Sequence, residues 1–187
     1  CNSGTSAISL ALKSINLKKG DNVIIPSINF VAAANITKML GANVYFADVD
    51  NTTFQLSKNS LLRCIKFHKL KRIKVVFTMH LGGSAMHQKE IFKLKNKYNY
   101  SIIEDACHAL GGRYVESNLI VGSCAYSDIT TFSLHPVKTI TSGEGGIITT
   151  NNKKIAQNIL ELRSHGIHKK KDYTYQITKN SLNFRLS

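Results

Sequence analysis

The sequence lacks the features that mark membrane, disulfide-rich and zinc-binding proteins. Its 187 residues contain no apolar run of membrane-spanning length, and we expect no signal peptide. The four cysteines are scattered and form no CxxC pair, so we expect reduced thiols in a cytoplasmic protein. With two prolines and 43% hydrophobic residues, the composition fits a soluble α/β domain with one sizeable core.

Acidic residues are also scarce, because 11 Asp and Glu stand against 25 Lys and Arg, giving a net charge of +14. Such an excess suggests nucleic-acid binding as one alternative. The lysines are mostly dispersed, however, and the clusters at 66–74 and 169–171 have no interleaved aromatic residues. We therefore predict a solvated basic surface with no nucleic-acid or membrane partner, which would help to attract a phosphorylated substrate.

Apolar runs typical of strands alternate with helical patterns along the chain. The patterns predict strands at 23–26, 44–46, 73–78, 101–105 and 129–132, and helices at 7–19, about 30–40, 60–68, about 91–98 and 153–163. This alternation predicts an α/β fold with a mostly parallel sheet and helices on both faces. A strand at 146–150 follows too closely for a helical crossover and is predicted antiparallel. Residues 164–187 are predicted to be an irregular surface or interface segment.

Three polar residues fall at the predicted carboxyl ends of strands, where ligands bind in parallel sheets. They are His80, Asp105 and Ser133. Their convergence indicates a functional site, although His80 by itself is better interpreted as a hydrogen-bonding loop residue. The spacing of Asp48 and Asp50 is compatible with a metal, but turn formation is favoured and no metal site is predicted.

Lys138 lies between Pro136 and a glycine-rich turn, in a loop that cannot continue as a helix. A lysine held there can lose hydration and act as an amine nucleophile toward a carbonyl. The alternative is an ordinary loop lysine. Thr5 and Ser6 lie directly before the helix predicted at 7–19, whose free N–H groups, with these hydroxyls beside them, would suit a phosphate; the alternative there is a plain helix cap.

A lysine, an acid at a strand end, a ring and a small-residue helix start are the parts that a pyridoxal 5'-phosphate site needs. Six motifs occur in order along the chain: 2–7 (NSGTSA), 26–30 (PSINF), 80–83 (HLGG), 104–109 (EDACHA), 133–146 and 183–185 (NFR). In this order they resemble the sugar-nucleotide aminotransferases, a branch of the fold-type I pyridoxal phosphate enzymes. The sequence around Lys138 most resembles that of the family members that act in pseudaminic acid biosynthesis.

The resemblance implies catalytic roles for two residues. Lys138 would attach the cofactor and carry a proton between substrate and cofactor, and Asp105 would pair with the pyridine nitrogen. His108 would lie near the ring hydroxyl, where many relatives have glutamine.

The resemblance also implies residues that hold the cofactor. Phe30 would stack on the ring, although a phenylalanine in such a loop more often packs into a core. Thr5, Ser6 and Ser133 would hold the phosphate. Asn183 would reach the phosphate in a neighbouring subunit, which implies a homodimer with shared active sites.

The implied reaction moves an amino group from glutamate to the 4-keto group of a UDP-linked deoxysugar. Residues 1–187 would form a partial cofactor-binding large domain, and we expect a fragment without the family's amino-terminal arm and carboxyl-terminal small domain. The alternative is a catalytically impaired fragment, or a non-enzymatic relative that binds a nucleotide sugar or a partner.

Overall fold

The computed structural model describes residues 1–170 and 174–186. Lys171, in the second basic cluster, lies outside the described residues. The helices are α1 (Gly4–Ser14), α2 (Ala32–Met39), α3 (Lys58–Phe67), α4 (Gln88–Tyr98) and α5 (Lys153–Arg163). The strands are β1 (Asn22–Pro26), β2 (Asn43–Ala47), β3 (Val75–Met79), β4 (Ser101–Asp105), β5 (Ile129–Ser133), β6 (Gly146–Thr149), β7 (Ile167–Lys169) and β8 (Tyr175–Ile177).

Six strands form one sheet in the order β2-β1-β3-β4-β5-β6. The pairs from β2 through β5 are parallel, and β6 runs antiparallel to β5 with Ser133 opposite Gly146. The predicted fold class is confirmed, including the antiparallel strand that the short connection required.

Alternate residues of the buried strands pack against helices on the two faces of the sheet. On one face Phe77 and Ile103 join α1 and α2 in a core whose buried members also include Ile8, Leu12, Val23, Ile25, Ala33 and Val75. On the other face Val76 and Ile102 pack with Leu61, Ile65 and Ile91 of α3 and α4. Helix α5 lies outside α1, which it contacts through Ile159 and Leu162.

Helix α1 is displaced toward the amino terminus relative to its prediction. It begins at Gly4, because the Ser3 hydroxyl caps it by accepting a hydrogen bond from the Ser6 N–H at 3.1 Å. It ends after Ser14, because Asn16 adopts the left-handed conformation (φ 57°) well before Gly20. The predicted start at residue 7 and the predicted stop at Gly20 were therefore wrong.

The segment after α5 is more ordered than predicted. Strands β7 and β8 pair as an antiparallel two-stranded sheet, and Gly166, with φ 71°, turns the chain into β7. Glu161 on α5 accepts hydrogen bonds from Lys179 Nζ at 3.0 Å and from Thr178 Oγ1 at 3.4 Å. The prediction of an irregular segment was wrong here, because its order comes from contacts with α5 rather than from a local pattern.

Candidate active site

A cavity of about 640 Å³ opens at the carboxyl edge of the parallel strands, beside the amino terminus of α1. Six of the residues predicted to form the cofactor site line it: Thr5, Ser6, Phe30, Asp105, Ser133 and Lys138. They come from four separate parts of the chain, which the sheet brings to one edge because parallel strands share the direction of their carboxyl ends.

Asp105 is the last residue of β4 and is 1% exposed. It lies two residues after Ile103, and therefore on the sheet face that α1 covers. Its Oδ1 accepts a hydrogen bond from the Cys107 N–H at 3.2 Å. This bond holds the carboxylate in one orientation, and the residue lines the cavity. A carboxylate held in this way can pair with a cation in the cavity.

Lys138 is half-buried in the loop between β5 and β6. The Lys138 N–H donates to the His135 carbonyl at 2.9 Å, and the base of the loop closes where the Leu134 N–H donates to the Gly145 carbonyl at 2.8 Å. The Thr141 hydroxyl and the Ser142 N–H both donate to the Leu134 carbonyl. The loop is thus held at its base, and Lys138 and Asp105 line one cavity.

The pKa of His108 is affected by both Lys138 and Asp105, so the two charged groups lie near the same imidazole. The residue as a whole is exposed, but partial covering of its imidazole lowers the pKa, the Lys138 ammonium lowers it further, and Asp105 opposes the shift. Burial likewise raises the pKa of the Cys107 thiol far above its usual range, and Asp105 adds to this rise. The thiol is therefore protonated and unreactive near neutral pH.

The amino terminus of α1 meets the end of β5 at a very short distance. A Cβ added to Gly4 would lie 2.8 Å from Ser133 Cβ, so only glycine allows this approach. The first turn of a helix presents N–H groups that the helix itself does not use, and its dipole favours an anion there. Thr5, Ser6 and Ser133, each with a hydroxyl group, are among the residues that line the cavity.

Phe30 is 67% exposed and lines the cavity, which rules out the alternative that it packs into the core. Its N–H donates to the Asn29 side-chain oxygen at 2.7 Å, so the loop before α2 is held locally. An aromatic ring left at a cavity mouth offers a flat apolar surface to a ligand.

Two predicted residues do not line the cavity. His108 is exposed and lies beyond it, although it is close enough to Lys138 and Asp105 for both charges to affect its pKa. Asn183 is exposed, and its side-chain oxygen accepts hydrogen bonds from the Arg185 N–H and from Arg185 Nε, both at 3.1 Å. Its predicted role depends on a second subunit and stays a prediction.

Sequence reasoning left out two residues of the 133–146 motif that line the cavity and carry titratable side chains, His135 and Glu144. His135 Nε2 lies 3.9 Å from Glu144 Oε1, and both side chains are about half exposed. The Glu144 carbonyl orders the glycine turn by accepting a hydrogen bond from the Ser142 hydroxyl at 2.6 Å. Their positions within the 133–146 motif were the available signal.

Asp50 begins a turn at 51–53, and Asp48 bonds the backbone of the next residue. The Thr52 and Thr53 N–H groups both donate to Asp50 Oδ1 at 3.0 Å, and the Val49 N–H donates to Asp48 Oδ1 at 2.9 Å. Within residues 1–170 and 174–186 there is no group of three or more residues suited to a metal ion, and no helix long and apolar enough to cross a membrane.

The cavity residues fit pyridoxal phosphate in their chemistry. The cofactor needs an amine for its aldehyde, a carboxylate for its ring nitrogen, donors for its phosphate and a surface for its ring. Lys138, Asp105, the start of α1 and Phe30 supply one of each around a single cavity. Glycine at position 4 lets the start of α1 lie against Ser133 at the edge of this cavity, since a side chain there would run into Ser133.

Comparison with known proteins gives the class of this protein. Residues 1–187 match the DegT/DnrJ/EryC1/StrS aminotransferase family, and the chain belongs to it. The resemblance predicted from the six motifs is thereby confirmed.

Particular relatives narrow this class. The chain is 38% identical over 186 residues to the UDP-4-amino-4,6-dideoxy-N-acetyl-beta-L-altrosamine transaminase of Campylobacter jejuni, covering 100% of this chain and 48% of that protein. It is 33% identical over 184 residues to the GDP-perosamine synthase of Escherichia coli O157:H7, covering 98% of this chain and 48% of that protein. The chain therefore spans about half the length of the curated relatives that it matches.

Solved structures agree with the fold. Helicobacter pylori PseC, an aminotransferase involved in the biosynthesis of pseudoaminic acid, superposes with a TM-score of 0.88 at 30% identity, over 99% of this chain and 48% of that chain. The PLP form of the putative sugar aminotransferase Spr1654 from Streptococcus pneumoniae gives 0.83 at 25% identity, over 97% of this chain and 49% of that chain. The cofactor prediction is thus confirmed for the family.

Proposed function

We propose that this chain contributes the cofactor-binding domain of an aminotransferase that moves an amino group from glutamate to the 4-keto group of a UDP-linked deoxysugar. The observation that carries the proposal is the single cavity at the carboxyl edge of the sheet, which Lys138, Asp105 and the start of α1 all line. Family membership over residues 1–187 supports the reaction class.

When bound, pyridoxal phosphate supplies an electron-withdrawing ring that stabilises negative charge at the substrate carbon. Asp105 holds a proton at the ring nitrogen, since a buried carboxylate attracts a cation strongly. Lys138 Nζ is the amine that would hold the cofactor aldehyde, with loss of water, and once displaced by the substrate amine it would carry a proton to and from the substrate carbon. The hydroxyls of Thr5, Ser6 and Ser133 hold the phosphate.

Phe30 and His108 complete the proposed cofactor site. The exposed ring of Phe30 covers one face of the cofactor and excludes water from it. His108 lies near the ring hydroxyl, and its lowered pKa keeps the imidazole neutral at pH 7, so it meets that oxygen as a neutral hydrogen-bonding group.

The sugar is the finer part of the proposal. The altrosamine transaminase and PseC favour a UDP-linked sugar and a place in pseudaminic acid biosynthesis. The perosamine synthase, only a few per cent less identical, favours a GDP-linked sugar and is the alternative within the family.

The proposed enzyme is a cytoplasmic homodimer in which Asn183 reaches the partner's phosphate site. Its exposed position fits such a contact, because the side chain bonds only within its own segment among the described residues. The chain covers only about half of each relative. This supports a second candidate function, in which a non-enzymatic or impaired form binds a nucleotide sugar without amino transfer.

The test follows cofactor colour in the purified chain. Added pyridoxal phosphate should give a yellow protein, L-glutamate should bleach it, and a UDP-linked 4-keto sugar should restore the colour. Lys138→Ala should show none of these changes, with Lys153→Ala as a control for general lysine effects. A chain that stays colourless fails as a cofactor-binding domain. Colour restored only by a GDP-linked sugar overturns the substrate, and nucleotide-sugar binding without bleaching favours the non-enzymatic candidate.

A further inference from the structure

A second carboxylate, Glu104, adjoins Asp105 at the end of β4. Because successive residues of a strand point to opposite faces, Glu104 faces away from the cavity while Asp105 faces into it. Glu104 is fully buried, at 0% exposure. The proposed reaction does not use it, so its presence in the interior needs another explanation.

Three hydroxyl groups donate to the Glu104 carboxylate. The Thr130 hydroxyl bonds Oε2 at 2.6 Å, the Ser127 hydroxyl bonds Oε2 at 3.0 Å, and the Tyr114 hydroxyl lies 3.0 Å from Oε1 and 2.9 Å from Oε2. Burial and the adjacent carboxylate raise the pKa of the Tyr114 phenol far above its usual range, so the phenol keeps its proton and donates.

His80 completes the surroundings of Glu104. Its Nε2 lies 3.6 Å from Glu104 Oε1, both side chains are fully buried, and the imidazole meets the Tyr114 ring edge to face. Among the described residues neither ring nitrogen of His80 has a hydrogen-bond partner, and the Glu104 carboxyl group lies beside the imidazole without bonding it. The two residues form a buried polar pair.

Such a pair is a poor device for stability alone. Transferring a carboxylate out of water costs several kcal/mol, and apolar residues of similar volume often serve stability as well or better. A buried polar group does fix geometry, because its hydrogen bonds have directions that apolar contacts lack. Positioning is therefore the explanation that accounts for the cost.

The network connects to Asp105 through both neighbouring strands. From the β3 side, the His80 N–H donates to the Asp105 carbonyl at 3.1 Å. From the β5 side, the Thr131 hydroxyl donates to the Glu104 carbonyl at 3.0 Å, and Thr130 holds the Glu104 side chain. The end of β4 is thus held from both sides, directly beneath the cavity.

We propose that Glu104, held by the hydroxyls of Tyr114, Ser127 and Thr130, is a positioning residue that fixes the direction in which Asp105 points into the cavity. This inference rests on the proposed role of Asp105 for its functional meaning. The geometric part, the dependence of Asp105 orientation on Glu104, stands apart from any cofactor.

The chain offers a matched pair of variants for the geometric part. Tyr114→Phe and Tyr100→Phe each remove one hydroxyl from a phenol at 2% exposure or less; Tyr100 donates to the Ile91 carbonyl at 2.7 Å, away from Asp105. The readout is hydrogen exchange at the Cys107 amide, which bonds Asp105 Oδ1, without cofactor. Tyr114→Phe should speed this exchange about threefold to tenfold, and Tyr100→Phe should not. Equal rates in both variants would overturn the proposal.

A double-mutant cycle tests the link to the cofactor. Glu104→Gln should weaken pyridoxal phosphate binding about tenfold in the natural chain and not at all in the Asp105→Asn background, because its effect passes through Asp105. Equal weakening in both backgrounds would contradict positioning. If Glu104→Gln does not fold, Tyr114→Phe replaces it in the cycle. A chain that binds no cofactor, yet shows the Cys107 effect, would refute the proposed function and leave the positioning intact.

Discussion

The two edges of the parallel sheet differ in chemistry more than in shape. At the carboxyl edge, a cavity of about 640 Å³ combines one lysine, a buried acid, hydroxyls and an aromatic ring. At the amino edge, a groove of about 770 Å³ is lined by Lys19, Lys71, Arg72, Lys74 and Lys97, with Asp21 as its acid. Similar volumes thus hold very different sets of groups.

The comparison teaches that mixed chemistry, and not charge density, identifies the site. A set of like charges on a surface attracts anions generally but cannot place a proton or a covalent bond. The carboxyl edge brings unlike groups together because strands, loops and the start of α1 all end there. The net charge of +14 says little about this edge, where Lys138 is the one lysine lining the cavity.

The largest effect is expected when Asp105, the buried acid at the carboxyl edge, is replaced. Asp105→Asn keeps the shape of the side chain but loses its charge, and charge-assisted hydrogen bonds contribute about 1.5–3 kcal/mol. Cofactor affinity should therefore fall about tenfold or more, as measured by absorbance titration. Asp128→Asn, at a carboxylate outside the cavity, is the control and should leave affinity unchanged. Unchanged affinity in Asp105→Asn would contradict the assignment of the edge.

The next largest effect is expected from a substitution at the contact between α1 and β5. Gly4→Ala would place its Cβ 2.8 Å from Ser133 Cβ, and overpacking of this kind costs about 1–3 kcal/mol. Denaturant unfolding should show this loss. In the Ser133→Gly background, where the opposing Cβ is absent, Gly4→Ala should cost much less. Additive losses would show that the two residues do not meet.

A smaller effect concerns the segment that braces the carboxyl edge, where the Asn2 N–H donates to the Phe184 carbonyl at 2.8 Å. Glu161 anchors that segment, and hydrogen bonds, first from Gln157 and then from Lys179, lower its pKa from 4.5 to about 2. A lowered carboxyl pKa stabilises the fold above pH 4.5, and this contribution is lost as pH falls toward 2.

Glu161→Gln should therefore reduce the loss of stability between pH 4.5 and about 2, followed by thermal unfolding across that range. The matched control is Glu116→Gln, at an exposed glutamate, which should leave the pH profile unchanged. Identical profiles for the natural chain and Glu161→Gln would show that Glu161 does not anchor the segment.

The smallest effect comes from the amino edge. The triple variant Lys71→Gln, Arg72→Gln and Lys97→Gln removes three charges from the basic groove, far from the proposed site along the strands. Cofactor affinity at moderate salt should stay within about twofold, because screening reduces charge effects beyond about 10 Å. A tenfold loss would mean that the amino edge, or the overall field, takes part in binding.

Local patterns were sufficient for most of the fold. The apolar runs of β1, β3, β4 and β5 predicted buried parallel strands, and the short connection after β5 predicted the antiparallel β6. Local signals also placed Asp105 and Lys138, because an acid at a strand end and a lysine before a glycine turn are visible in the chain itself.

The features that sequence reasoning missed depend on contacts between distant residues. The close approach of Gly4 to Ser133 joins α1 to the end of β5, and the pairing of β7 with β8 accompanies contacts to Glu161 on α5. The carboxylate of Glu104 meets Tyr114 only after the chain folds back beneath β4. Such contacts leave no periodic pattern, so propensity and spacing could not predict them.

The central claim is that Lys138, among all the lysines of this basic chain, is the one that the cofactor selects. The direct measurement incubates the chain with pyridoxal phosphate, reduces it with borohydride and maps the modified peptides by mass spectrometry. The account predicts one dominant adduct, on Lys138, that Lys138→Ala abolishes. Adducts spread over the amino-edge lysines, or none at Lys138, would contradict it.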